Sequence, residues 1–95
     1  DGNELLLIDI LSLNQNEVVD DLLIKEKERM LHEAIKKLRP REKLILSLRF
    51  GLNGYDELTQ KETADKLGIS QSYISRLEKR ILKKLKASLK DNLKV

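Results

Sequence analysis

One stretch constrains the fold more than any other: Thr59-Gln60-Lys61-Glu62, followed by Ala64, Gly68, Ser70, Ile74 and Leu77. Thr59 and Glu62 have the spacing of a capping box, in which the threonine oxygen accepts from an orphan backbone N–H while the glutamate reaches back. The helix so begun is short, because Gly68 follows Leu67 directly and can turn the chain with a positive φ. Ser70 then caps a second helix. Its apolar positions Ile74, Leu77, Ile81 and Leu85, flanked by Leu82 and Leu89, recur at helical spacing. Ala64 is small where two helices cross closely, and Ile74 with Leu77 lock the second helix onto the first. The pattern predicts a helix-turn-helix over residues 59–80.

The rest of the chain agrees with a helical reading. Twenty Leu and eight Ile dominate the apolar residues, and aromatics are only 3%. Such a core suits packed helices, whereas a sheet sandwich would favour Val, Thr and aromatics. Ninety-five residues leave room for one domain. Residues 5–13 are dense in aliphatics, and their periodicity leaves open a strand or a helical turn or two. They are expected to pack against their own domain or a neighbour. The first clear helix is predicted after Asn14-Gln15-Asn16, with Glu17 completing a capping box from Asn14. Its stripe is Val19, Leu23, Met30, Ala34 and Leu38, joined by Leu22, Leu31 and Ile35, and His32 falls on or near its solvated face.

Pro40 ends that helix near Leu38 and suits the first turn of the next. Leu44, Ile45 and Leu48 form the next buried stripe, and Gly51 is placed to close it as a left-handed cap. Residues 51–58 read as a loop; Asn53-Gly54 is also a hairpin signal, but no alternating strands flank it. The expected architecture is therefore all-α. It is a small bundle of about four helices over 17–95, ending in the helix-turn-helix with a long recognition helix and preceded by an acidic, aliphatic linker segment over 1–16.

The net charge of +3 hides a gradient: −6 over residues 1–24, +3 over 25–58 and +6 over 59–95. A basic end of this kind suits an anionic partner, nucleic acid first and an acidic protein or membrane surface second. The lack of cysteine excludes disulfides and Cys-ligated metal, and a single histidine lacks partners for a metal site or triad. No apolar run approaches the roughly 20 residues of a membrane span. Cytosol is the default compartment, and the chain, beginning at Asp1, reads as a piece of a longer protein. No catalysis and no cofactor are expected. Metal-ligand spacing, a nucleophile elbow and a Gly-rich phosphate loop are missing, and Ser70, Ser72 and Ser75 have no base beyond the distant His32. Glu26 and Glu28 lie two apart and cannot share a helix face.

In a helix-turn-helix the second helix enters the DNA major groove, its first residues touching base edges. Ile74 faces inward here, so Gln71, Ser72, Ser75 and Arg76 form the outward face. Gln can pair bidentately with adenine, Arg with guanine, and Ser with either. Thr59, at a helix N-terminus, can contact a phosphate. Lys79, Arg80 and Lys83 continue the basic face and would position rather than specify, while Lys84, Lys86, Lys90 and Lys94 read as a solvated helix end.

The strings Arg41-Glu42-Lys43, Leu48-Arg49-Phe50-Gly51-Leu52, Thr59-Gln60-Lys61-Glu62 and Ile69-Ser70-Gln71-Ser72-Tyr73-Ile74-Ser75-Arg76-Leu77-Glu78-Lys79-Arg80 resemble region 4 of bacterial RNA polymerase sigma factors. The resemblance is densest over 38–86 and points to the sporulation factors of the sigma-E and sigma-K kind. Asp1-Gly2-Asn3-Glu4-Leu5 and the acidic stretch after it also resemble the segment joining regions 3 and 4. The resemblance implies double-stranded promoter DNA and core RNA polymerase as partners, an anti-sigma factor as a further one, no membrane, and a cytoplasmic, nucleoid-associated protein. It implies reading of the upstream (−35) element by Gln71, Ser72, Ser75 and Arg76, with backbone contacts at Arg49, Thr59 and Lys79. It also implies a grip on the polymerase beta flap around Ile35, Leu38, Leu44 and Leu48, and a linker that threads the polymerase's RNA path. Ser72 and Ser75 stand where housekeeping factors carry longer charged residues, so housekeeping specificity does not transfer. The alternatives are a stand-alone helix-turn-helix regulator, such as the four-helix effector domain of response regulators, and a helical protein-interaction module without DNA readout. The Arg49-Phe50-Gly51-Leu52 string and the long loop to Thr59 favour the sigma reading.

Overall fold

The computed structural model describes residues 2–11 and 21–93, with side chains placed for 3–11 and 25–89. Among these described residues five helices form: α1 (Gly2–Ile10), α2 (Asp21–Lys36), α3 (Pro40–Phe50), α4 (Gln60–Leu67) and α5 (Gln71–Leu93). Among the described residues there is no strand. The all-α expectation holds: α2–α5 are the four helices expected over 17–95, and α1 lies in the segment before them. Residues 5–13, left open between strand and helix, are helical as far as Ile10, and α1 lies against α2 and α3. The proposed caps Asn14 and Asn16, the stripe residue Val19 and the linker boundary at 16 lie outside the described residues.

The helix boundaries follow local chemistry. Pro40 occupies the first turn of α3, where its missing N–H costs nothing, and Glu42 reaches back to accept from the Arg39 N–H at 2.9 Å. Gly51 closes α3 in the left-handed region (φ 65°), its N–H and that of Leu52 both donating to Ser47 O. Asn53 and Gly54 both have positive φ, 55° and 83°, and Tyr55 N–H donates back to Leu52 O at 3.1 Å. The Asn-Gly pair thus makes a tight turn of the hairpin kind inside a connection between helices.

The core is one cluster to which every helix contributes: Leu7 and Leu11 of the α1 region, Leu31 of α2, Ile45 and Leu46 of α3, Ala64 of α4, and Ile74, Ile81 and Leu85 of α5. α5 is the spine, with α2, α3 and α4 packed along it. At 23 residues it is about 34 Å long, so its N-terminal third holds α4 while its later turns hold α2. That division lets one end of α5 belong to the α4–α5 helix-turn-helix and the other pack against α2.

Candidate nucleic-acid interface

The helix-turn-helix forms as its residues predict. Thr59 Oγ1 accepts from Glu62 N–H at 3.0 Å and Glu62 Oε1 accepts from Thr59 N–H at 2.9 Å. The Thr59 N–H, and after it the Thr59 hydroxyl, favour the ionised Glu62 carboxyl and hold it below the usual carboxylate range. Gly68 turns the chain at φ 70°, with its own N–H and that of Ile69 donating to Ala64 O. Ser70 Oγ accepts from Tyr73 N–H at 3.1 Å and so caps α5. Ala64 is 2% exposed and Ile74 fully buried, which seats α4 directly on α5.

The inward seat of Ile74 decides what faces out. Gln71, Ser72 and Arg76 are exposed and Ser75 is half-buried. Gln71, Ser72 and Ser75 line a shallow open depression together with Gln60 of α4. The first turn of α5 carries no acidic side chain, so its free N–H groups and positive dipole end meet an approaching anion unopposed. Lys79, Arg80 and Lys83 are exposed one to two turns further on. Thr59 is also exposed, although its oxygen is engaged in the cap. Tyr73, 41% exposed, shares the start of α5 and was missed by the sequence reading.

Arg49 does not join this surface. It is half-buried, its Nε 2.8 Å from Glu78 Oε1 and its Nη1 donating to Leu58 O at 2.5 Å. The Glu78 side chain is only 12% exposed, and its other oxygen accepts a short hydrogen bond from Gln60 Nε2. Arg49 of α3, Leu58 of the loop, Gln60 of α4 and Glu78 of α5 therefore form one polar clamp at the root of the helix-turn-helix. The guanidinium expected to contact the DNA backbone is thus held by internal partners while keeping 19% of its side chain exposed.

A second polar tie fastens the platform. Glu42, 7% exposed, accepts from Lys84 Nζ at 2.8 Å as well as from Arg39 N–H. Both donors favour the carboxylate and hold the Glu42 carboxyl below its usual range. Lys84, expected at a solvated helix end, is exposed as Lys86 is, but its ammonium reaches the buried Glu42. Side chains of Lys90 and Lys94 lie outside the described ones.

The four residues around which a flap surface is expected differ in burial. Leu38 (8% exposed) and Leu48 (1%) are buried, as their place in the apolar stripes predicts. Ile35 and Leu44 are half-buried and can be reached. His32 is exposed, as expected, and its Nε2 lies 3.2 Å from Glu4 Oε2 of α1. No helix is long and apolar enough to cross a membrane among the described residues.

Comparison with known proteins places this geometry. The family described as Sigma-70, region 4 matches residues 34–87, more than half of the chain. The chain is 58% identical over 90 residues to the RNA polymerase sigma-E factor of Clostridium acetobutylicum, covering 94% of this chain and 38% of that protein. It is 45% identical over 85 residues to the RNA polymerase sigma-28 factor of Bacillus thuringiensis subsp. kurstaki (90% and 36% covered). Against the RNA polymerase sigma-K factor of Bacillus subtilis it is 42% identical over 85 residues (90% and 29% covered). The chain thus spans about a third of the length of these relatives. No solved structure gives a significant match. With its capped helix-turn-helix, its outward Gln71–Arg76 face and a family match over most of the bundle, the chain belongs to the sigma-70 region 4 family.

Proposed function

We propose that this chain is the −35-reading domain of a sporulation-type sigma factor, acting in transcription initiation as part of a larger protein. One observation carries the reading. Gln71, Ser72, Ser75 and Arg76 stand at the capped N-terminal end of the long helix, and no side-chain partner engages them among the described residues. Polar groups left unengaged on the outer face of a helix-turn-helix are what base edges in a major groove require. Lys79, Arg80 and Lys83 likewise have no partner among the described residues, so their charge is available to phosphates. Thr59 adds a backbone contact through its hydroxyl or the N-terminus of α4.

The second partner is core RNA polymerase. The half-buried Ile35 and Leu44 are the residues of the expected flap surface that remain reachable, and they support a contact with the beta flap. The protein works in the cytoplasm, on nucleoid DNA, without chemistry of its own: it selects a sequence and holds polymerase there.

Selection from a pool of random duplexes by this chain, fused to a beta-flap segment, tests the reading. An enriched motif, with affinity falling at a log–log salt slope of about −4 to −5, is the expected result. Failure to bind any duplex at low salt and high protein concentration would leave the helical protein-interaction module as the better description.

A further inference from the structure

The polar clamp does not end inside the protein. Glu78 is held from behind by Arg49, with Nε and Oε1 2.8 Å apart, and its other oxygen accepts from the Gln60 amide. A carboxylate only accepts, so the amide nitrogen of Gln60 must face Glu78 and the carbonyl Oε1 must turn away from it. Gln60 also lines the depression shared with Gln71, Ser72 and Ser75. An otherwise ambiguous amide is therefore locked one way round at the edge of the proposed reading face, presenting an acceptor.

Gln71 lies across the same depression and has no side-chain partner among the described residues. A free glutamine amide can rotate and offer its donor and acceptor in either order. To read adenine bidentately it must donate to N7 and accept from the N6 amino group, which fixes the order. An acceptor at Gln60 Oε1 selects that order. In the DNA-bound arrangement inferred here, one N–H of Gln71 turns to donate to Gln60 Oε1, leaving the other N–H and the carbonyl for the base.

We propose that Gln60 is a positioning residue for base reading: anchored by the Arg49–Glu78 pair, it sets the amide orientation of Gln71 and so the base that Gln71 prefers. The inference rests on the DNA-reading role proposed above. Gln60 touches no base in this scheme; it acts through Gln71.

The test measures affinities of the chain for its selected duplex and for duplexes changed at each base pair in turn. Wild type, Gln60→Met, Gln71→Ala and the double variant are compared, with thermal melts and salt slopes for each. Gln60→Met should lower discrimination by about 5- to 20-fold at one base pair, the same one that Gln71→Ala affects. The double variant should lose no more than Gln71→Ala alone, and the salt slope should not change. Gln60→Ala, which keeps good helix propensity at the first position of α4, should behave alike and guards against a packing fault from methionine. Discrimination unchanged within twofold in Gln60→Met and Gln60→Ala would overturn the proposal. So would effects that simply add in the double variant, or uniform weakening on all duplexes with a shallower salt slope, which marks a phosphate contact. A wild-type chain that prefers no sequence would instead overturn the DNA-reading role itself.

Discussion

Replacing Arg49 with methionine should be among the most damaging single changes outside the apolar core, although the substitution loses little volume. At an effective dielectric near 20, unit charges about 4 Å apart attract by about 4 kcal/mol, most of which offsets the desolvation of both groups. Remove the guanidinium and the Glu78 carboxylate keeps its desolvation cost with only the Gln60 amide as partner. Breaking a buried pair in this way costs about 3–5 kcal/mol. Arg49 retains 19% exposure and Glu78 12%, so water reaches the pair and the lower end, about 3 kcal/mol, applies. That is a large share of the roughly 5–15 kcal/mol that holds a domain together. It corresponds to a fall in Tm of about 12–24 °C for a domain of this size. Urea melts followed by circular dichroism at 222 nm would measure it for Arg49→Met, Glu78→Leu and the double variant. The double variant leaves no orphaned charge and should lose much less than the two single losses added together. Single losses below about 1 kcal/mol, or strictly additive ones, would show that the pair behaves as a screened surface salt bridge and would refute the clamp.

Other consequences can be checked separately. Gly51→Ala should cost more than Gly68→Ala, although both glycines sit at left-handed φ. A Cβ at Gly51 would lie 3.0 Å from Asn3 Nδ2 and 3.2 Å from Glu57 N, whereas at Gly68 it meets open space. About 1 kcal/mol is expected at Gly68 from backbone strain alone, and at least 1 kcal/mol more at Gly51, read from chemical denaturation. Arg76→Ala should weaken binding to the selected duplex by about 1–3 kcal/mol and relax preference at one base pair. Equal weakening on every duplex in competition assays would reassign Arg76 to phosphate. Glu42 and Glu62 titrate below their usual range when folded, so each contributes stability above the ordinary glutamate pKa that is lost as pH falls through the lower folded value. Tm should therefore drop on acidification below about pH 4.5, and Glu42→Gln should flatten that drop; an unchanged acid profile in the variant would exclude Glu42 as a source.

Much of the fold was legible because its determinants are local. Capping residues act within three positions, a left-handed glycine acts on its own carbonyl neighbours, and an apolar stripe repeats within one helix. Thr59, Glu62, Gly68, Ser70 and Gly51 all do in space what their spacing predicts. The outward Gln71–Arg76 face was legible for the same reason, since one inward residue, Ile74, fixes the rotation of the helix. Residues 5–13 were not, because α1 is apolar on more than one side. Leu7, Ile8 and Leu11 face the core while Leu5, Leu6 and Ile10 are 43–48% exposed, so no period stands out. Glu78 did leave a signal. It sits four residues after Ile74 and three before Ile81, a carboxylate in the register of a buried stripe, which implies a buried basic partner.

What the sequence determined alone, then, is the set of helices from α2 onward, the helix-turn-helix and the face it turns outward, because short-range backbone chemistry and periodicity suffice for these. Only tertiary structure decided how charges and aliphatics far apart in the chain are shared out. Arg49 pairs with Glu78, Lys84 with Glu42, His32 meets Glu4 from a separate helix, and Leu44 stays half-buried while its stripe neighbours Ile45 and Leu48 are buried. The physical reason is the same in each case. A basic or apolar side chain carries no local mark of its partner, and whether it serves the interior or the surface depends on which element the packing brings within about 3–4 Å.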